Sequence, residues 1–156
     1  MTATNTAIVT GASSGIGLGL TTALLERGYR VVANSRQITK AGTLTPSENL
    51  KLVDGDIAHP ETARTVVDTA MRHFGAVDLL INNAGVFIPK PFTEYTTDDF
   101  DRLVSTNLAG FLYVTQHVVR QMRRQGTGLS SILRARWQTN PMPEYLPPSL
   151  CLPREA

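Results

Sequence analysis

Thr10-Gly11-Ala12-Ser13-Ser14-Gly15-Ile16-Gly17 lies between a short apolar run, Ala7-Ile8-Val9, and an amphipathic segment that ends at Gly28. A strand that turns through glycines into a helix makes an anion site. The first-turn N–H groups have no intrahelical acceptor, and the helix dipole adds partial positive charge there. Gly11 allows the tight exit from the strand, Gly15 lets a pyrophosphate approach the backbone, and Gly17 lets the helix pack closely on the strand.

These glycines fall at steps of one, five and seven, which is not the G-x-G-x-x-G spacing of the common dinucleotide fingerprint. A second stretch, Asn82-Asn83-Ala84-Gly85, follows the apolar run Val77 to Ile81. A glycine-rich loop alone also marks ordinary turns; the two motifs together are specific. The pair resembles the short-chain dehydrogenase/reductase family, over residues 5 to about 128. The resemblance implies a Rossmann-like fold and hydride transfer between NADPH and a small-molecule carbonyl or alcohol. It places the cofactor against Gly11, Ser13, Ser14, Gly15, Ile16 and Gly17, and against Asn83, Ala84 and Gly85.

A chain of 156 residues that is 42% hydrophobic suits one domain with a real core. Its net charge of +2 is spread along the chain, so neither nucleic acid nor a membrane surface is indicated as a partner. The N-terminus lacks a basic and apolar leader pattern, and no apolar run reaches spanning length, so a cytoplasmic protein is expected. Cys151 is the single cysteine, and His59, His73 and His117 are scattered, so no metal site is expected.

Along the chain, strands are expected at Ala7 to Val9, Tyr29 to Ala33, Leu50 to Val53 and Val77 to Ile81. Between them, Ile16, Leu20, Ala23 and Leu24 share one helical face, and Ala63, Val66, Val67, Ala70 and Phe74 share another, closed by Gly75. Residues 37–49 read as a loop or short irregular helix. The alternation predicts right-handed crossovers and a doubly wound parallel sheet in the order 3-2-1-4. After the second strand comes Asn34-Ser35-Arg36, where an NAD-preferring enzyme carries an acid for the ribose hydroxyls. Arg36 offers a planar cation to a 2′-phosphate, so NADP is expected, with NAD as the alternative. The resemblance further implies that Asp56 bonds the adenine edge and Ile57 covers the ring; the plainer reading of Asp56 is a turn cap.

A last helix is expected from Thr97 to Gly126, with Phe100, Leu103, Val104 and Leu108 on an apolar face. Within it, Thr106-Asn107-Leu108-Ala109-Gly110 resembles the family motif whose Asn supports a water in the proton relay. Asn107 is thus the one catalytic candidate; otherwise it is a poor helix former that kinks the helix.

Residues 1–128 therefore read as the cofactor-binding domain and 129–156 as a proline-rich, irregular and mobile tail, with Leu129 to Leu133 as a short fifth strand at most. Here the family supplies a Ser, then a Tyr general acid with a Lys four residues on. Tyr145 is followed by Ser149 instead, and the last lysine is Lys90. A frameshift is expected here in preference to a native tail: read one base earlier, with permissible codons, the tail restores an apolar strand, a Thr-Ser-Ser and a Lys-Gly. Leu150 resists the idea, because its bases cannot become a Tyr codon. The expected function is the NAD(P)-binding portion of a short-chain oxidoreductase, inactive as written; the alternative is a non-catalytic dinucleotide-binding fragment or frameshifted product. Intact relatives are expected to be homo-oligomers. A nucleotide-sugar epimerase is disfavoured by the glycine spacing.

Overall fold

The computed structural model describes residues 5–126. Four parallel strands, β1 (Thr6–Thr10), β2 (Arg30–Ser35), β3 (Leu50–Asp54) and β4 (Leu79–Ile81), form one sheet in the order β3-β2-β1-β4. They alternate with helices α1 (Gly15–Glu26), α2 (Ile38–Ala41) and α3 (Pro60–Phe74), and are followed by α4 (Thr97–Val104) and α5 (Phe111–Gln125). This is the Rossmann-like topology and strand order expected from the alternation.

Strand pairing sets which side chains meet. Ile8 sits beside Val32 and Leu80, and Val9 beside Ala33 and Ile81. Because successive side chains point to opposite faces, the first set packs with Val66, Ala70, Phe74, Val114 and Val118 of α3 and α5. The second set packs with Ile38 of α2 and the half-buried Leu20 and Leu24 of α1. Helices thus cover both faces, which is why the middles of β1 and β2 are apolar on both sides. Each fully buried Val, Leu or Ile here contributes about 1.5–3 kcal/mol relative to exposure, so the two cores decide the register.

Several boundaries move for physical reasons. Thr6 and Thr10 extend β1 because they continue its ladder with Arg30 and Asn34. β4 is shorter than the expected Val77 to Ile81: Val77 N–H donates to Gln125 Oε1 and Val77 O accepts from Gln125 Nε2, both at 3.1 Å, and the Asp78 carboxylate accepts from Thr6 N–H at 2.8 Å. The expected α3 face is buried throughout. Ile16, expected on the core face of α1, is instead 56% exposed. It lies in the first turn, beyond the end of β1, where buried Gly17 and Thr21 face inward in its place.

The expected single helix from Thr97 to Gly126 is interrupted. Thr96 and Asp99 form a capping box at its start: Asp99 N–H donates to Thr96 Oγ1 at 3.2 Å and Thr96 N–H donates to Asp99 Oδ2 at 2.9 Å. A π-helical turn, Ser105–Gly110, then separates α4 from α5. No residue of α4 is buried, and Phe100 and Leu108 are more than half exposed, so the apolar face expected there is not core. Gly110 is buried at the junction, where a Cβ would come within 2.7 Å of Ile57 Cγ2. The expected fifth strand and the mobility of residues 129–156 lie outside the described residues.

Asp99 also receives Lys90, whose ammonium contacts its carboxylate, and Lys90 lies 5.6 Å from the Tyr95 ring centroid. These contacts brace the segment between β4 and α4. The Lys90 bond, with those from Thr96, holds the Asp99 carboxyl down at about 2, from an ordinary 3.8. A depressed folded-state pKa stabilises above the unfolded value and loses that contribution as pH falls through the folded one. Wild type should therefore lose stability between pH 3.8 and about 2, and Asp99→Asn should flatten that limb of a thermal-melt series against pH. An equally steep acid limb in the variant would refute this assignment.

Candidate functional site

The carboxyl ends of β1, β2, β3 and β4 open on a cleft of about 260 Å³. Its floor is fixed by Thr10 and Asn83. Thr10 Oγ1 accepts from the N–H groups of Asn83 (3.1 Å) and Ala84 (3.0 Å) and donates to Ile81 O at 3.4 Å. In return the Asn83 amide donates to Thr10 O and Gly11 O, both at 3.1 Å. The loops after β1 and β4 are thereby one unit.

Gly11 and Gly17 make the close approach possible. A Cβ on Gly17 would lie 2.2 Å from Gly11 O, and one on Gly11, at φ +67°, would lie 2.8 Å from Ala84 Cα. Gly17 thus packs the helix on the loop itself rather than on the strand. At Gly15 a Cβ would meet nothing within 4 Å, so the approach to the helix start is open. Ser14, the N-cap, is extended and its side chain caps nothing; no acidic residue stands in the first turn. The orphan N–H groups and partial positive charge of α1 therefore face the opening unneutralised.

Gly11, Ser13, Ser14, Asn83, Ala84 and Gly85 all line the cleft, as do Arg36, Asp56 and Ile57. The structure brings these nine residues together at one cleft. Gly15, Ile16 and Gly17 stand at the rim or beneath it instead. Asp56 makes the turn cap of its plainer reading: Oδ1 accepts from Ala58 N–H at 2.9 Å. Asn107 does not line the cleft. Its Oδ1 accepts from Val86 N–H at 2.8 Å and its Nδ2 donates to Val86 O at 2.9 Å. The side chain thus reaches from the π turn to hold the loop after Gly85 by both backbone groups of one residue.

Val86, Gly55 and Thr106 also line the cleft and were not singled out from sequence, although Thr106 opens the stretch quoted around Asn107 and Val86 directly follows the Asn-Asn-Ala-Gly motif. Asn34, at the end of β2, is buried and donates to Val53 O (3.0 Å) and Gly55 O (3.2 Å), so it fastens β2 to β3. Beyond it, a second cleft of about 520 Å³ shares Ser13, Ser35 and Arg36 with the first and adds Lys40. Neither cation is joined to a carboxylate among the described residues. No group of three or more His, Cys, Asp or Glu that could hold a metal occurs among the described residues, and no helix there is long and apolar enough to cross a membrane.

Comparison with known proteins agrees with this geometry. The family model described as short chain dehydrogenase matches residues 5–132. An uncharacterized oxidoreductase of Staphylococcus aureus (strain USA300) is 32% identical over 125 residues, 78% of this chain and 54% of that protein. A Bacillus thuringiensis structure assigned as a 3-oxoacyl-reductase is 32% identical, with a TM-score of 0.73 over 81% of this chain and 56% of that one. A variant of ElxO solved with NADPH bound is 25% identical, with a TM-score of 0.71 over 81% of this chain and 54% of that one. The chain spans about half the length of the curated relatives it matches. With the glycine loop, the Asn-Asn-Ala-Gly loop and the 3-2-1-4 sheet in place, the chain belongs to the short-chain dehydrogenase family.

Proposed function

We propose that this chain is the dinucleotide-binding portion of a short-chain oxidoreductase, that it takes NADP in preference to NAD, and that it does not reduce carbonyls by itself. The observation that carries the reading is the run of the two clefts. They lead from the open N-terminus of α1 to Arg36 and Lys40, with no carboxylate at the end of β2. The residues present fit a dinucleotide: an unobstructed helix start for the pyrophosphate and unspent cations for a 2′-phosphate. Asp56 has one carboxylate oxygen in its turn, which leaves the other for the adenine edge; Ile57 lies beside it for the ring.

When bound, such a cofactor supplies the hydride exchanged with a carbonyl or alcohol in the intact family. This chain's own residues would bind and orient it. Val86, held by Asn107, fixes the far wall of the cleft, so Asn107 acts here through the loop it holds. A proton donor is the missing part. No lysine follows Lys90, so no Tyr-x-x-x-Lys pair is present, and this favours the second reading, a non-catalytic dinucleotide-binding fragment. The exposed Phe100, Leu108 and Leu112 support subunit pairing through this face in intact relatives.

Calorimetric titration with NADP and NAD tests the cofactor. Arg36→Glu should lower NADP affinity by about 10- to 100-fold, the worth of a charge-assisted contact, and reverse the preference toward NAD. A retained NADP preference would remove Arg36 from the site. Gly15→Val, which places a branched side chain in the approach path, should abolish binding of both; unchanged affinity would count against pyrophosphate at this loop. NADPH oxidation against ketones and aldehydes should stay at the uncatalysed rate. Turnover that vanishes in Asn107→Ala would show that the proton donor has been misplaced.

A further inference from the structure

Asp54 is a carboxylate that the proposed nucleotide contacts do not use. As the last residue of β3 it lies opposite Ser35, and the next N–H, that of Gly55, donates to Ser35 O at 3.0 Å. From there it reaches across the turn that follows β2. Asp54 Oδ1 accepts from Thr39 N–H at 3.0 Å, and Oδ2 accepts from the Thr39 hydroxyl. Thr39 is the second residue of α2, whose own N-cap, Gln37, supplies no side-chain bond. A helix of four residues has too few internal bonds to hold itself. Its orientation is set from outside, by Asp54 at one side and by the fully buried Ile38 beneath.

What α2 carries makes this brace consequential. Lys40 stands in its last turn and Arg36 just before it, and both border the outer cleft with Ser13 and Ser35. Asp54 acts on a phosphate there with two opposite signs. Its charge repels the phosphate, an effect that solvent screens at this exposed position. Its two bonds hold the segment bearing the cations, and these are short-range and directional.

We propose that Asp54 and Thr39 are a positioning pair for cofactor selectivity, holding α2 so that Arg36 and Lys40 meet the 2′-phosphate on the adenosine ribose. The inference rests on the NADP reading above and deepens it. The bonds from the Thr39 side chain and backbone hold the Asp54 carboxyl below its ordinary range, so it is ionised and accepts both at neutral pH.

The test is calorimetry of the full chain with 2′,5′-ADP and with 5′-AMP, whose affinity ratio isolates the 2′-phosphate. Wild type should favour 2′,5′-ADP by about tenfold or more; equal affinities would sink the NADP reading itself. Given that preference, Thr39→Val removes the hydroxyl without changing charge, and should cut the ratio about fivefold, as for the loss of a helix cap. Asp54→Ala should cut it at least as far, although a charge repelling phosphate has gone. Asp54→Asn, which keeps an acceptor for Thr39 N–H, should recover part of the loss. A ratio unchanged in Thr39→Val, or unchanged or raised in Asp54→Ala, would overturn the inference and leave the NADP reading standing, with Asp54 a bystander charge.

Discussion

Thr10 and Asn83 hold together two loops that are more than seventy residues apart in sequence, and the cleft exists only while they do. Thr10 is 1% exposed. Its hydroxyl answers two N–H groups and one carbonyl, and the Asn83 amide answers two carbonyls that end β1 and open the glycine loop. Buried polar groups in this number are costly when unpaired, about 1–3 kcal/mol each, and modestly favourable when paired. The arrangement is therefore closer to all-or-none than to a sum of weak contacts. It also explains the two glycines beneath it, since any side chain at Gly11 or Gly17 would occupy the space that the Asn83 amide fills.

The far wall of the cleft is built differently. β4 has only three paired residues, and the backbone on either side of it is gripped by side-chain amides from the long interrupted helix. Gln125 takes both groups of Val77 before the strand, and Asn107 takes both groups of Val86 after it. Between them Asn82 donates to Thr115 Oγ1 at 3.1 Å. Each amide presents a donor and an acceptor side by side, which matches one residue's N–H and C=O as a neighbouring strand would. The π turn at Ser105–Gly110 sits where Asn107 makes its grip, so the irregularity and the contact belong together.

Much of this was legible in the sequence, and the parts that were not share a cause. Strands β1 to β3, helix α3 and the sheet order follow from apolar period and from glycines at strand ends, because burial on both faces leaves little freedom. Of the residues lining the cleft, Gly11, Ser13, Ser14, Asn83, Ala84 and Gly85 belong to the two motifs. Ile16 was misread because its period fits α1 while its place in the first turn lies beyond the sheet; period says which face, not how far the core extends. Phe100 was placed on an apolar face for the same reason, on a helix with no buried residue, and so was Leu108, in the π turn beyond it. The Asn107 kink was foreseen as an alternative, but its partner, Val86, carries no sequence signal, since what it offers is backbone.

On the proposed reading, the two ends of the nucleotide path rest on different physics, and this separates affinity from selectivity. At the α1 end the attraction comes from backbone N–H groups of a twelve-residue helix, a property that no single side chain supplies and that any dinucleotide shares. At the β2 end the side chains proposed to discriminate, Arg36 and Lys40, stand on or beside a four-residue helix that borrows its rigidity from Asp54 and Ile38. Substitutions at the exposed Arg36, Thr39 or Lys40 are therefore expected to alter which ribose is accepted without touching Thr10, Asn83 or either core. Asn34 marks the boundary between the two regimes. Where an acid for the ribose diol would stand, it turns inward and bonds Val53 and Gly55, which on the proposed reading leaves recognition of the ribose to the cations.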